Sequence, residues 1–430
     1  MTRPAEKKKR WTVMVYLAGD NNLDAAGAAD LVEMKRVGST EQVALVAQFD
    51  RSGAKRVTNR YVLRKGTALA DDVVTTLGET DTGDPAVLRD FVTWAATRYP
   101  AEHYLLVIWN HGSGWDDSNL YQGDYFSGAA PPVVRKGAVV ARALVANSPA
   151  PVRMDTVRAA ARRGRRSLFR STVAAMVSSR AIAFDDQAQD FLDNVELKRV
   201  LGQIRRSLKQ RIDVLGFDAC LMSMVEVAYQ VRDHAAVVCG SEEEEPNDGW
   251  PYDTILKTLA ARPSMKPAEL AKLIVGRYVA SYGRNEGATL AATDLGGIGA
   301  VAEALDRLGR VLTAALKDAA ARAQILAVRA QVQEYTPPYD QYCDVVDLCD
   351  LLARRVRRPG LEAACRAVRA AVSKAVLASE AKGRGVAHSH GLTVYFPKKT
   401  VSRLYGTLDF ARKRGWASFI EAYTRSIGRR

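Results

Sequence analysis

Five short apolar runs, at residues 12–18, 43–49, 104–109, 212–217 and 235–239, are nearly continuous rather than alternating. A strand that is apolar on both sides must be covered on both sides, so these runs call for a sheet with helices packed on each face. The intervening stretches can supply those helices. Residues 24–37, 85–99, 195–210 and 222–232 have helical periodicity, with Asp24 and Asp84 placed as N-caps. Alternation of this kind specifies an α/β layer fold with a largely parallel sheet. From residue 267 the pattern turns mostly helical, over 267–282, 298–332, 344–356 and 361–379, with strands expected at 288–293 and 392–396. The expected organisation is a basic tail over 1–10, an α/β domain over 11–266, and a mostly helical domain or extension of the same sheet over 267–430.

The chain has 430 residues and a formal charge of +14, which raises nucleic acid or an anionic membrane surface as a partner. The distribution argues otherwise. Residues 1–10, 131–172 and 403–430 together carry +18, which leaves a mildly acidic body. The middle segment belongs to an insertion over 116–179 that is rich first in Gly, Ala and Pro and then in Arg, without a clear apolar face. Its one aromatic residue between 153 and 170 is Phe169, too few for a stacking platform, and no nucleic-acid fold motif is present.

Five cysteines, widely spaced and without a CxxC pair, argue against a disulfide framework or a structural zinc site. The start, Lys7-Lys8-Lys9-Arg10 before an eight-residue apolar run, imitates a signal peptide. The run is short and ends at Gly19-Asp20-Asn21-Asn22, so it reads as a first buried strand, with a cytoplasmic location as the default. No run approaches the length of a membrane span.

In open α/β sheets, functional groups collect just past the carboxyl ends of strands. One such junction is Asn110-His111-Gly112-Ser113-Gly114-Trp115, a histidine on a loop whose glycines let backbone approach a ligand. A second is Asp218-Ala219-Cys220, with a helix expected to open at Leu221-Met222. A helix N-terminus favours a thiolate, and an imidazole can hold its proton, so Cys220 and His111 form the natural catalytic pair.

These residues carry a family resemblance. The two junctions, with Gly240-Ser241-Glu242-Glu243 and Gly249-Trp250-Pro251-Tyr252, resemble the clostripain family of cysteine endopeptidases, in the caspase-like clan. Leu17 to Leu23, Phe184-Asp185-Asp186, Asp344 to Leu348 and Gly391 to Pro397 extend the resemblance over most of the chain. It implies a caspase-like α/β/α sandwich and a His111-Cys220 dyad cleaving peptide bonds after Arg, or Lys. The backbone N–H groups of Gly112 and Cys220 would form the oxyanion hole, and Asp218 matches the motif for the carboxylate that receives the substrate cation. Asp248 is a second candidate by position only. In the family, the segment between His and Cys can be cut by the enzyme itself, which makes Arg163, Arg166 and Arg180 self-cleavage candidates.

No cofactor is implied. Some members of the family require calcium, which the sequence leaves open here: Asp20, Asp24, Asp185 and Asp186 lack EF-hand spacing, Glu242 to Glu245 could collect a cation at the pocket rim or bind calcium but reads better as a solvated charge run, and no metal site is assigned. His388 and His390 read as flanking a strand, without nearby carboxylates. The competing function is that of an inactive homologue binding nucleic acid or an anionic surface through the Arg-rich insertion.

Overall fold

The computed structural model describes residues 8–21, 23–53, 57–110, 112, 114–115, 192–284, 286–335 and 341–427. Its first half runs β1 (Lys9–Gly19), α1 (Asp24–Val37), β2 (Val43–Arg51), β3 (Thr58–Val62), β4 (Val73–Gly78), α2 (Pro85–Arg98) and β5 (Ala101–Trp109). After the insertion come α3 (Asn194–Leu208), β6 (Ile212–Asp218), α4 (Val225–Val231), β7 (Ala235–Gly240), α5 (Tyr252–Ala261), α6 (Pro267–Ser281) and β8 (Ala288–Asp294). The remainder holds α7 (Ile298–Ala315), α8 (Ala319–Arg329), β9 (Glu334–Tyr335), β10 (Tyr342–Asp344), α9 (Val345–Arg355), α10 (Leu361–Ala375), β11 (Val376–Lys382), β12 (Thr393–Tyr395) and α11 (Gly415–Ile427).

Nine strands form one sheet in the order β11-β8-β7-β6-β5-β1-β2-β3-β4. The five central strands, β7 to β2 in that order, are parallel, and both edges are antiparallel. Successive side chains of β1 point to opposite faces and divide the interior into two cores. Met14, Tyr16 and Ala18 join the core formed with α2, α3, α4 and the C-terminal helices, while Trp11, Val13, Val15 and Leu17 join that formed with α1, α5 and α6. This is the three-layer sandwich that the doubly apolar strands require. The strands after residue 267 belong to the same sheet, since β8 pairs with β7 and β11 pairs with β8.

Four helix expectations change, one of them, the start of 222–232, at the site described below. The 298–332 stretch is two helices, because Asp318 caps α8 by accepting from the Ala321 N–H at 2.8 Å. The helix expected to reach 379 ends at Ala375, where the chain turns into the edge strand β11. Asp84 caps α2 as expected, but Asp24 is the first residue of α1 and forms a two-point ion pair with Arg51 instead.

Candidate active site

Strands β5 and β6 are neighbours, and their last residues, Trp109 and Asp218, stand opposite each other in the ladder. The loops leaving them therefore meet. A Cβ on Gly112 would lie 2.1 Å from the Cys220 carbonyl oxygen and 2.9 Å from its nitrogen, so only glycine allows this approach. His111 lies outside the described residues, as do Arg163, Arg166 and Arg180.

Cys220 is not at a helix N-terminus. The chain turns at Leu221, which takes φ of 64°, and continues extended to Met224 before α4 begins at Val225. Tertiary pairing accounts for the difference. The Leu221 and Ser223 N–H groups donate to the carbonyls of Glu243 and Ser241, and the Thr393 N–H donates to the Ser223 carbonyl. Residues 221–223 thus lie between the continuation of β7 and β12. Burial pushes the partly exposed Cys220 thiol up from its ordinary pKa, and the negative charges of Glu244 and Glu245 add to the rise. The N–H groups of Glu245, 3.2 Å from Sγ, and Gly112 act in the opposite direction.

Beside Cys220 lies a buried group of acids. The Asp218 carboxyl accepts from the Tyr252 hydroxyl at 2.7 Å and the Trp250 N–H at 3.4 Å. Asp30, on α1, accepts from the Trp109 indole N–H at 2.7 Å. Gly249, with φ of 56°, passes between them, since a Cβ there would lie 3.2 Å from Asp218 Oδ1 and 3.5 Å from Asp30 Oδ2. The Glu245 carboxyl meets that of Asp218, its two oxygens are shielded from solvent, and the Trp250 indole N–H and Ala219 main-chain N–H lie beside it without completing a hydrogen bond. The Trp250 indole N–H and Tyr278 hydroxyl border the same group, both buried and neither in a completed hydrogen bond. Among the described residues, no Lys or Arg pairs with Asp30, Asp218 or Glu245. Burial raises Asp218 to about 6 and Asp30 to about 9, the latter assisted by the charge of Asp218. Asp248 is exposed at the edge, where its charge also bears on Asp30.

Glu242 to Glu245 is therefore solvated only in its middle, with Glu244 exposed. Glu242 is buried and accepts from the Gly391 N–H at 2.8 Å, and Glu245 faces the acid group. Asp30 is not singled out by sequence, and Glu245 figures there only as one of four acids in a charge run. Asp30 lies at helical spacing among apolar residues, and only its burial beside Trp109 distinguishes it. His388 and His390 do have carboxylates nearby: His390 Nδ1 is 2.9 Å from Asp344, and His388 Nδ1 is 4.0 Å from Asp347. Among the described residues, no group of three or more His, Cys, Asp or Glu is arranged to hold a metal, and no helix is long and apolar enough to cross a membrane.

Comparison with known proteins gives consistent matches. The model of the clostripain family of C11 peptidases matches residues 15–125 and 170–423. Clostripain from Hathewaya histolytica is 26% identical over 282 residues, 59% of this chain, and the chain spans 43% of that relative's length. A secreted C11 cysteine protease from Bacteroides thetaiotaomicron, solved with an irreversible peptide inhibitor, superposes with a TM-score of 0.62 at 20% identity, covering 95% of this chain and 99% of that one. An inactive zymogen C11 protease from Parabacteroides distasonis gives 0.63 at 19% identity, covering 96% and 99%. At such identities the solved structures speak for the fold. The Bacteroides protein is secreted, so the comparisons do not support a cytoplasmic default for this chain.

Proposed function

The chain belongs to the clostripain family of cysteine peptidases, and from that premise we propose that it cleaves peptide bonds after Arg or Lys. The observation that carries the specificity is the buried acid group two residues before Cys220. Carboxyls placed in a dry site without a counter-ion are matched by a ligand that brings the cation, and a desolvated guanidinium or ammonium group needs such a partner.

The Cys220 thiolate attacks the scissile carbonyl carbon, forming the C–S bond while the carbonyl oxygen takes the electron pair. His111, having received the thiol proton, gives it to the leaving amine as the C–N bond breaks; water then hydrolyses the thioester. The Gly112 and Cys220 N–H groups hold the oxyanion, each such donor typically worth about 2.7 to 4 kcal/mol. Autoprocessing in the insertion follows from the same specificity acting on the chain's own arginines. The alternative of a nucleic-acid-binding module gains no support from the comparisons.

The test uses arginyl, lysyl and neutral reporter peptides. Cys220→Ala and His111→Ala should each abolish hydrolysis, and Asp218→Asn should depress cleavage after Arg far more than any cleavage after a neutral residue. Full activity in Cys220→Ala would refute the reading. An unchanged preference in Asp218→Asn would move the cation partner elsewhere. On a denaturing gel, autoprocessing predicts a nicked wild type and an intact Cys220→Ala protein.

A further inference from the structure

Glu245 occupies a position with two sides. Its main-chain N–H reaches Cys220 Sγ, and its side chain turns inward against Asp218 in the acid group. Asp218 has the Tyr252 hydroxyl and Asp30 has the Trp109 indole, whereas the Glu245 oxygens have only the Trp250 indole and Ala219 main-chain N–H groups beside them, in no completed hydrogen bond, and no cation. Two carboxyls in contact in a dry, uncompensated site cannot both be ionised, so the pair must share a proton. The Tyr278 hydroxyl, fully buried and without a hydrogen-bond partner, faces the same space from α6.

We propose that Glu245 is a specificity residue of the cation pocket, and that a guanidinium or ammonium group enters by exchanging with the proton shared between Glu245 and Asp218. This rests on the Arg/Lys reading above and extends it to a residue and a stoichiometry. The cation takes the place of the proton, the proton leaves to solvent, and the pocket's charge is conserved. The titratable groups facing the pair are Asp30 and Glu33 from α1, Cys220 and Glu244 from the nucleophile side, Asp248 from the rim, Tyr252 from α5, and Tyr278 and Tyr282 from α6 and its end. Asp30, raised to about 9, stays protonated at neutral pH, so exchange there is confined to the Asp218–Glu245 pair.

The experiment measures binding of n-butylguanidinium, a cation with no scissile bond, to the whole protein by calorimetry at neutral pH. Two buffers of different ionisation enthalpy reveal the protons released. The wild type should release about one proton per cation bound. Glu245→Gln should release almost none and bind about ten- to a hundredfold more weakly, the loss expected for a hydrogen bond to a charged group. Competition against the arginyl reporter shows that the probe sits in the specificity pocket. Competitive binding without proton release, or a Glu245→Gln protein that binds and releases protons like the wild type, would overturn the proposal while leaving Arg/Lys specificity intact. If the probe does not compete and no arginyl or lysyl reporter is cleaved, the specificity reading fails and the proposal fails with it. Should Glu245→Gln not fold, the proton count of the wild type and the binding of Glu245→Asp still decide.

Discussion

Gly112 illustrates how much one missing atom can control. With a Cβ 2.1 Å from the Cys220 carbonyl oxygen, alanine would force the two loops apart. If the Gly112 N–H serves the oxyanion, Gly112→Ala should lower kcat for the arginyl reporter by about 10²- to 10³-fold with a smaller change in KM. Tyr252 tests the support of the acid group. Tyr252→Phe removes the 2.7 Å donor to Asp218 and should cost about 1 to 3 kcal/mol, read as a lower urea midpoint. Asp30 links the pocket to pH. Its pKa is raised in the folded state, so the stability it contributes is complete below its ordinary 3.8 and is lost as pH rises towards about 9. The thermal midpoint of the free enzyme should therefore fall from pH 5 to 9. Asp30→Asn, which can still accept from Trp109, should flatten that decline.

Among elements, the turn that carries Cys220 is held by segments far away in sequence. Glu242 accepts from the Gly391 N–H, the Gly391 carbonyl accepts from the Ser223 hydroxyl, and Ser223 leads into α4. Glu242→Ala should thus cost about 1 to 3 kcal/mol in denaturant unfolding and lower the rate of arginyl hydrolysis as well, since the same bonds shape the Cys220 loop. This arrangement also explains what the sequence could reveal. The central strands were legible because two-sided burial leaves a continuous apolar run. The edge strands were not: β4 is half exposed along its length, and the Ala, Ser, Glu and Lys of β11 suit a helix equally well. The extended 221–224 segment and the inward turn of Glu245 are tertiary choices. A helix-favouring stretch gives way to pairing with 241–243, and a run of four acids conceals two buried ones. The meeting of Gly112, Asp218 and Cys220 was legible as strand-end and motif residues, while His111, read from the same signal, lies outside the described residues.

At the scale of the molecule, β5 precedes the insertion and β6 follows it, yet the two strands pair along five residues at the centre of the sheet. A single cut in the insertion should leave both pieces associated. In the Cys220→Ala protein, which does not nick itself, a protease site introduced near residue 150 and cleaved to completion should give one peak in native gel filtration and two bands in denaturant; separation under native conditions would contradict the central pairing. The Asn194 side chain also donates to the Gly114 carbonyl at 3.4 Å, which brings the described residues on either side of the insertion together. The chain therefore leaves and re-enters the body through one doorway. Once ends are pinned in this way, doubling the length of the chain between them adds only about 0.6 kcal/mol of closure entropy, so the length of the insertion weighs little on the stability of the fold.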